Sequence, residues 1–481
     1  MAPRPARRVA LIGVAGLLIL LTNAVIFVLP PLLPVIEEHY HLATLAQTTW
    51  LYTALTLGGG AGFILLPRLA DLYGDRTASV VACALLTAGA LVPAVGDSYP
   101  TLLAGCAVMG LGGAAQLLPL GFLRRNLGEG GITAGVAVLV IATGVGIVLG
   151  MIGGSLVVQH LSLRAFFVVL TAAFAVATVA ALATIPHDPP ADPPGRIGVV
   201  GTIWMIGWVA AILLTLTQGL VWGAAALVPL IVGVVGAVLW VRAERGSSSA
   251  VFDVSLLTAP SVTAACVSIA LFAAVNSAYL LLVSDYAQVV PSRLPSGQAY
   301  GLGLSSLQTG WLMVPFALTF LVGGALADRP VANGRGTRVL AAGALVCAVG
   351  LAWLAVAHDR PWHYLVGAAV MGLGCSLGYA AGFAIAQRAV PESRSGMASG
   401  VAGTFMAVGF AVGTALVSAD LSLSVVPLEG TGSEVAAAGL YTSGYWLSAG
   451  IALLVVMTLL VSRARTTRRN RPTDRPRVAR A

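Results

Sequence analysis

Residues 261–284 form a stretch without one charged side chain, and similar stretches recur along the whole chain. A helix crossing the hydrocarbon core of a bilayer needs about 20 mostly apolar residues. Spans are predicted at 9–33, 46–66, 78–95, 100–122, 132–157, 165–185, 198–219, 223–242, 261–284, 305–326, 338–356, 362–386, 396–419 and 440–462. Only 9% of residues are charged, against roughly 25% in soluble proteins. A 481-residue chain so poor in charge cannot wet its own surface, so lipid must cover much of it. Gly and Pro inside the spans are tolerated, because neighbouring helices satisfy the freed backbone groups. The first apolar run is longer than the ~7–15-residue core of a signal peptide, which predicts a retained helix.

Arginine placement sets the topology. The chain has no lysine, and all 26 basic residues are arginine. With the N-terminus in the cytoplasm, every arginine except Arg164, Arg293 and Arg360 falls in a cytoplasmic loop or in the tail. A missed helix would invert every later loop, so the pattern predicts an even number of crossings and two cytoplasmic ends. It does not separate fourteen crossings from twelve plus a re-entrant pair. The expected location is the cytoplasmic (inner) cell membrane, as a multi-pass protein. The formal charge of +8 therefore reflects topology and predicts no nucleic-acid partner. Heavy use of Arg, Ala, Gly and Val points to a GC-rich bacterial genome. The arginine-rich tail, 463–481, is expected to touch anionic lipid headgroups or simply to fix topology.

No cofactor or metal is expected. The five cysteines lie in apolar stretches without metal-ligand spacing, and read as small packing residues. The cluster Glu37-Glu-His39-Tyr-His41 reads as a wet external loop. Without lysine there is no phosphate-binding loop of the G-x-x-x-x-G-K-S/T type, so ATP does not drive this chain directly.

The chain repeats itself. Ala107-Val-Met-Gly-Leu-Gly112 in span 4 recurs as Ala369-Val-Met-Gly-Leu-Gly374 in span 12. Leu69-Ala-Asp71 after span 2 recurs as Leu326-Ala-Asp328 after span 10, and Gly146 and Gly150 as Gly409 and Gly413. Spans 1–6 thus pair with spans 9–14. The expected units are a six-helix bundle at 1–185, two inserted helices with flanking loops at 186–250, a second six-helix bundle at 251–462, and the tail. Two parallel halves around an axis along the membrane normal are a transporter architecture, with substrate near the midplane.

The loop after span 2 reads Pro67-Arg-Leu-Ala-Asp71-Leu-Tyr-Gly74-Asp75-Arg76, and that after span 10 Gly324-Ala-Leu-Ala-Asp328-Arg329. Trp50 precedes Asp71 in span 2, and Ser162-Leu-Arg164 with Phe166 and Phe167 opens span 6. Asp253 to Leu257 precede span 9, and Gln288 follows it. With the two sixes and the inserted pair, these features resemble the major facilitator superfamily over nearly the whole chain, in its fourteen-helix branch of drug:proton antiporters. The resemblance implies an all-α polytopic fold. It implies a conformational-switch motif of Asp71, Gly74, Arg76, Asp328 and Arg329, where a carboxylate caps a helix or pairs with Arg. A solvated charged turn is the alternative. It also implies helix packing through Gly146, Gly150, Gly153 and Gly154, the glycine-rich antiporter pattern of span 5.

Departures are specific. Pro67, Leu72 and Asp75 replace a Gly and two Arg of the loop motif, and the span 5 pattern lacks its Pro and is off by one. Span 1 has no carboxylate, and Cys106 stands where the family carries an Arg. None of the 18 carboxylates falls near the middle of a span; Asp285, toward the outer end of span 9, is the proton-coupling candidate. The cavity is expected to be neutral and aromatic, lined by Asn23, Phe27, Trp50, Gln116, Asn276, Tyr279, Trp311, Tyr379 and Phe405, on helices that line it in the family. Such a lining suits small amphipathic or neutral molecules better than strong anions. The leading expectation is a monomeric exporter of drugs or metabolites working by alternating access with proton antiport. An uncoupled facilitator or nutrient carrier is the second reading, and a membrane-embedded enzyme or a non-transporting receptor the remote ones.

Overall fold

The computed structural model describes residues 5–42, 45–127, 129–187, 199–245, 260–296, 298–388, 395–428 and 434–469. The segment Asp253 to Leu257 and the tail beyond 469 lie outside the described residues. The helices are α1 (Pro5–Tyr40), α2 (Leu45–Tyr73), α3 (Asp75–Val95), α4 (Tyr99–Gly113), α5 (Leu118–Asn126), α6 (Glu129–Val148), α7 (Gly154–His160) and α8 (Leu163–Thr184). They continue as α9 (Val199–Trp222), α10 (Leu227–Arg245), α11 (Pro260–Gln288), α12 (Ser306–Ala332), α13 (Gly336–Val356), α14 (Pro361–Arg388), α15 (Ser395–Leu421) and α16 (Ala438–Arg469). A short hairpin pairs β1 (Val425–Pro427) with β2 (Glu434–Ala436).

Among the described residues, thirteen helical segments are long and apolar enough to cross a membrane. Charge-free α9, 24 residues long, is the further helix in the sequence count of fourteen. The spans are less regular than expected. Span 4 breaks into α4 and α5 at a 3₁₀ turn, Ala114–Leu117, just before Pro119. Span 5 contains a π turn, Leu149–Gly153, between α6 and α7. α1 runs on through Tyr40, so Glu37 to Tyr40 belong to a helix rather than to the expected loop.

The repeated glycines explain how the helices meet. Gly146 and Gly150 lie against the backbone carbonyls of Leu20 and Ala24, so a Cβ on either would strike α1. Gly409 and Gly413 lie the same way against Ala270 and Ala274 of α11. The repeated hexapeptide does likewise. Gly110 abuts the Leu55 carbonyl of α2 and Gly372 the Phe316 carbonyl of α12; Gly112 meets α3 at Ala82, and Gly374 meets α13 at Gly343. Small residues at each crossing let two backbones approach closely, which is how helices associate in lipid. Helices α1–α8 therefore form one bundle and α11–α16 another with the same internal contacts. The insert sits at their margin, where Met205 and Val209 of α9 and Trp240 of α10 pack with Cys266, Val401 and Ala411.

Large apolar side chains stand exposed on the outside, including Val176 (63%), Ile231 (59%) and Val349 (64%). A water-soluble chain would hide them; a multi-pass membrane protein presents them to acyl chains. Below, the arginine-rich face is the one carrying the α2–α3 and α12–α13 loops, and the arginine-poor face is the opposite one.

Candidate functional site

Near mid-span, α1, α2 and the α4–α5 segment meet α11 and α15 around a cavity of about 70 Å³. Its wall includes Thr22, Val25 and Ile26, then Tyr52, Thr56 and Phe63, then Met109 and Gln116, and from the other bundle Ser277, Leu280, Met406 and Phe410. That volume holds a few waters, whereas drug-sized ligands need roughly 300–1,000 Å³. The cavity as it stands is smaller than a drug-sized ligand. Among the described residues, none that lines it is charged.

Most polar groups in the wall are already used. The Thr22 and Thr56 hydroxyls donate to Leu18 and Tyr52 carbonyls one turn back, at 2.6 and 2.7 Å. The Ser277 hydroxyl donates across to the Phe410 carbonyl at 2.9 Å. The Tyr52 hydroxyl and the Gln116 Nε2 are left without a partner among the described residues. An unpaired buried polar group costs about 1–3 kcal/mol, so these two donors are the groups a bound molecule would satisfy.

The bundles touch on both sides of the cavity, and each contact uses a carbonyl that a proline has freed. Proline has no N–H, so Pro34 leaves the Pro30 carbonyl of α1 without its helical partner. The Ser284 hydroxyl of α11 donates to that carbonyl from the other bundle. Gln288 braces Ser284 at 3.1 Å and receives the Ser306 hydroxyl at 3.0 Å. Toward the arginine-rich face, Pro67 frees the Phe63 carbonyl of α2 in the same way. Gly400 of α15 lies directly against it, and Gly403 lies against the Phe63 ring.

The residues expected in the cavity are dispersed. Gln116 lines it. Phe27 and Tyr279 instead flank Phe316, at ring-centroid distances of 6.0 and 5.8 Å. Tyr379 joins the same ladder through Phe320, so Phe316 and Phe320 are partners that sequence reasoning missed. Asn23 donates to the Ile19 carbonyl at 2.8 Å and packs over Gly146. Asn276 is buried beside Tyr379. Trp50 is half-buried at the arginine-poor end of α2, and Trp311 is 58% exposed on the outer surface of α12. Phe405 packs toward α9 and α10, while its neighbour Met406 faces the cavity. Tyr52, Met406 and Phe410 carried no sequence signal beyond membership of the right helices.

Asp285 is half-buried, away from the cavity wall, and accepts a hydrogen bond from the Tyr441 hydroxyl at 2.7 Å. Beside it, burial and the Asp285 charge push the Tyr300 phenol up to about 12, and Tyr300 donates to the Ala436 carbonyl at 2.7 Å.

The two matching loops on the arginine-rich face differ. Gly74 turns the first at φ 87°, a left-handed value that favours glycine. Asp75, buried, is held by the Arg125 guanidinium, and Arg76 donates to the Leu182 carbonyl at the end of α8 at 2.7 Å. Asp71 lies in the last turn of α2, and its side chain lies outside the described residues. Asp328 and Arg329 lie not in a loop but in the last turns of α12; both are exposed, and neither enters an ion pair among the described residues. Gly146, Gly150 and Gly154 form one stripe against α1, whereas Gly153 lies in the π turn with no close neighbour across the interface.

The Major Facilitator Superfamily model matches residues 15–196, 189–414 and 264–480. A probable actinorhodin transporter of Streptomyces coelicolor is 27% identical over 428 residues, covering 83% of this chain and 72% of that protein. The multidrug efflux pump LfrA of Mycolicibacterium smegmatis is 25% identical, covering 84% and 79%. The puromycin resistance protein of Streptomyces alboniger is 26% identical, covering 92% and 88%. Among solved structures, a peptide transporter POT bound to sulfate superposes with a TM-score of 0.66 at 16% identity, covering 95% of each chain. The human organic anion transporter MFSD10 gives 0.62 at 15% identity, covering 95% and 100%. The family model spans the cavity, both inter-bundle contacts and both loops, and the chain belongs to the Major Facilitator Superfamily, as a membrane transporter and not an enzyme.

Proposed function

We propose that the chain exports small apolar or amphipathic molecules, antibiotic-like compounds or metabolites, from a bacterial cell. The observation that carries this reading is the uncharged cavity between the bundles, with Tyr52 and Gln116 as its spare donors. The relatives named for actinorhodin, puromycin and multidrug efflux support it. The units 1–185 and 251–462 rock against each other about the cavity, and 186–250 rides as an insert. The arginine-rich face and both termini are cytoplasmic in the inner membrane, and the chain acts as a monomer surrounded by lipid. The Pro30–Ser284 contact closes the outer side, and the Phe63–Gly400 contact the inner side. The switch loop acts through Asp75–Arg125 and Arg76, with Asp71 beside them and Asp328 and Arg329 in the second copy. Substrate contacts are the cavity wall; Phe27, Tyr279 and Tyr379 act through the aromatic ladder beside it.

Expression should lower cell accumulation of at least one hydrophobic compound in a broad panel. Unchanged accumulation across the panel, with the protein verified in the membrane, would overturn export. In this reading proton antiport runs through Asp285, and Asp285→Asn removes the response of vesicle transport to an imposed pH gradient. The absence of a carboxylate from the cavity wall among the described residues favours a second reading, an uncoupled carrier. Wild-type transport indifferent to the gradient would establish it.

A further inference from the structure

The C-terminal bundle buries more hydroxyls than its own groups satisfy. Tyr279, Tyr364 and Tyr445 are fully buried and Asn276 is 1% exposed. The three hydroxyls and the Asn276 Oδ1 make no well-formed hydrogen bond among the described residues. Tyr364 and Tyr445 stand side by side, but two facing hydroxyls satisfy one donor and leave the other. These groups form a column. Asp285 is bonded to Tyr441, and the Tyr286 ring lies 4.9 Å from Tyr441 and 6.2 Å from Tyr364. Tyr445 is next to Tyr364, and Tyr279 lies further along α11 toward mid-span, within electrostatic reach of Tyr445.

The N-terminal bundle also holds buried polar atoms without partners among the described residues, at Tyr52, Ser79 and Gln116, but it has no tyrosines at the places matching the C-terminal column. The repeat that matches Leu20 to Ala270 and Gly110 to Gly372 places Leu29 at the position of Tyr279, and Leu102 at that of Tyr364. Where α16 supplies Tyr441 and Tyr445, α8 supplies Phe166, Phe167 and Leu170, which line an apolar void of about 20 Å³. Apolar voids stay dry, whereas adjacent buried polar groups are satisfied by ordered water.

We infer that the C-terminal bundle encloses an ordered water cluster, held by the hydroxyls of Tyr279, Tyr364 and Tyr445 with Asn276, and joined to Asp285 through Tyr441. The cluster is separate from the substrate cavity. It gives the Asp285 carboxyl a hydrogen-bonded route for proton exchange without unpacking a helix. That service rests on Asp285 being the coupling acid; the cluster does not. The groups around Asp285 are Tyr441 and Tyr445 of α16, Tyr286 of its own helix and Tyr300 of the following loop, with His358 packed against the Tyr286 and Tyr445 rings and Asp359 acting on Tyr286.

Hydroxyl-radical footprinting of the full chain in lipid nanodiscs tests it, because radicals made from bound water oxidise adjacent rings whether or not the protein transports anything. Tyr279, Tyr364 and Tyr445 should be oxidised within about threefold of Tyr73, which is 49% exposed. Phe122 and Phe174, fully buried in the N-terminal bundle, should react at least tenfold more slowly. Buried tyrosines as protected as those phenylalanines would overturn the cluster. Tyr445→Phe, checked for folding by size exclusion, should slow oxidation of Tyr279 and Tyr364 several-fold; Tyr364→Phe serves if it does not fold. Unchanged oxidation of the remaining tyrosines would overturn a shared cluster. Loss of export with oxidation retained would count against the transport reading alone.

Discussion

Leu29 of α1 and Tyr279 of α11 hold matching places in two bundles whose glycines meet their neighbours in the same way. Leu102 and Tyr364 are a second such pair. The comparison separates what builds the bundle from what fills it. Helix crossings are set by backbone against backbone, where only hydrogen fits at Gly146 or Gly409. The interior is set by side chains, and the two interiors differ, one apolar around Phe166 and Leu170 and one lined with tyrosine. The loops differ too. Arg125 holds buried Asp75, while Arg388, one residue beyond the matching position in the repeat, donates to the Val331 carbonyl at 2.5 Å and caps α12. One bundle carries a buried ion pair and an apolar void beside Phe166; the other carries a capped helix end and a row of buried tyrosines.

The shared skeleton predicts the largest effect. Gly146→Val and Gly409→Val should each cost about 3 kcal/mol or more, because the new methyls meet a carbonyl that cannot move aside. Folded yield after detergent extraction reads this, and a large loss at one position only would break the skeletal equivalence. Exchanging interiors comes next. Leu102→Tyr should destabilise by about 2–3 kcal/mol, since it overpacks a dry core and buries a hydroxyl with no partner. Tyr364→Phe should cost about 1 kcal/mol or less in the same thermal unfolding assay.

The loops predict smaller shifts. Asp75→Ala removes the buried half of an ion pair whose Arg125 side chain is 43% exposed, so solvent screening holds the loss to about 1–2 kcal/mol. Asp328→Ala should fall within about 0.5 kcal/mol, measured by thermal unfolding. The smallest effect belongs to the His39–Asp97 contact on the arginine-poor face, at 2.9 Å. The hydrogen bond from His39 holds the Asp97 carboxyl below its ordinary range. Its contribution is therefore present above the ordinary carboxyl pKa and fades as pH falls through the lowered value. Both groups face water, so Asp97→Asn should leave the melting midpoint unchanged at neutral pH.

Much of this was legible in the sequence, for a physical reason. Lipid demands long apolar helices and leaves charge only at their ends, so Arg68, Arg76 and Arg329 mark one face directly. The repeated Ala-Val-Met-Gly-Leu-Gly marked two crossings that both proved to be backbone contacts. The cavity was not legible, because helix faces cannot be told apart when protein interior and lipid are equally apolar. Phe405 and Met406 are adjacent, but about 100° of helix rotation sends one to the insert and the other to the cavity. Trp311, an aromatic residue on a plausible helix, faces outward. The contacts between the bundles were hidden differently: Pro34 and Pro67 were visible, but not that α11 and α15 would meet the carbonyls they free.

The central claim is that the cavity between the bundles is where the exported molecule binds. The direct measurement is cell accumulation of a compound that the wild-type chain exports, repeated with Met406→Trp, which fills a cavity of about 70 Å³ from its wall. Leu345→Trp, at a position 50% exposed on the lipid side of α13, is the control. The account predicts that Met406→Trp restores accumulation to the level of cells lacking the protein, at equal abundance in the membrane, while Leu345→Trp exports normally. Undiminished export by Met406→Trp would contradict it.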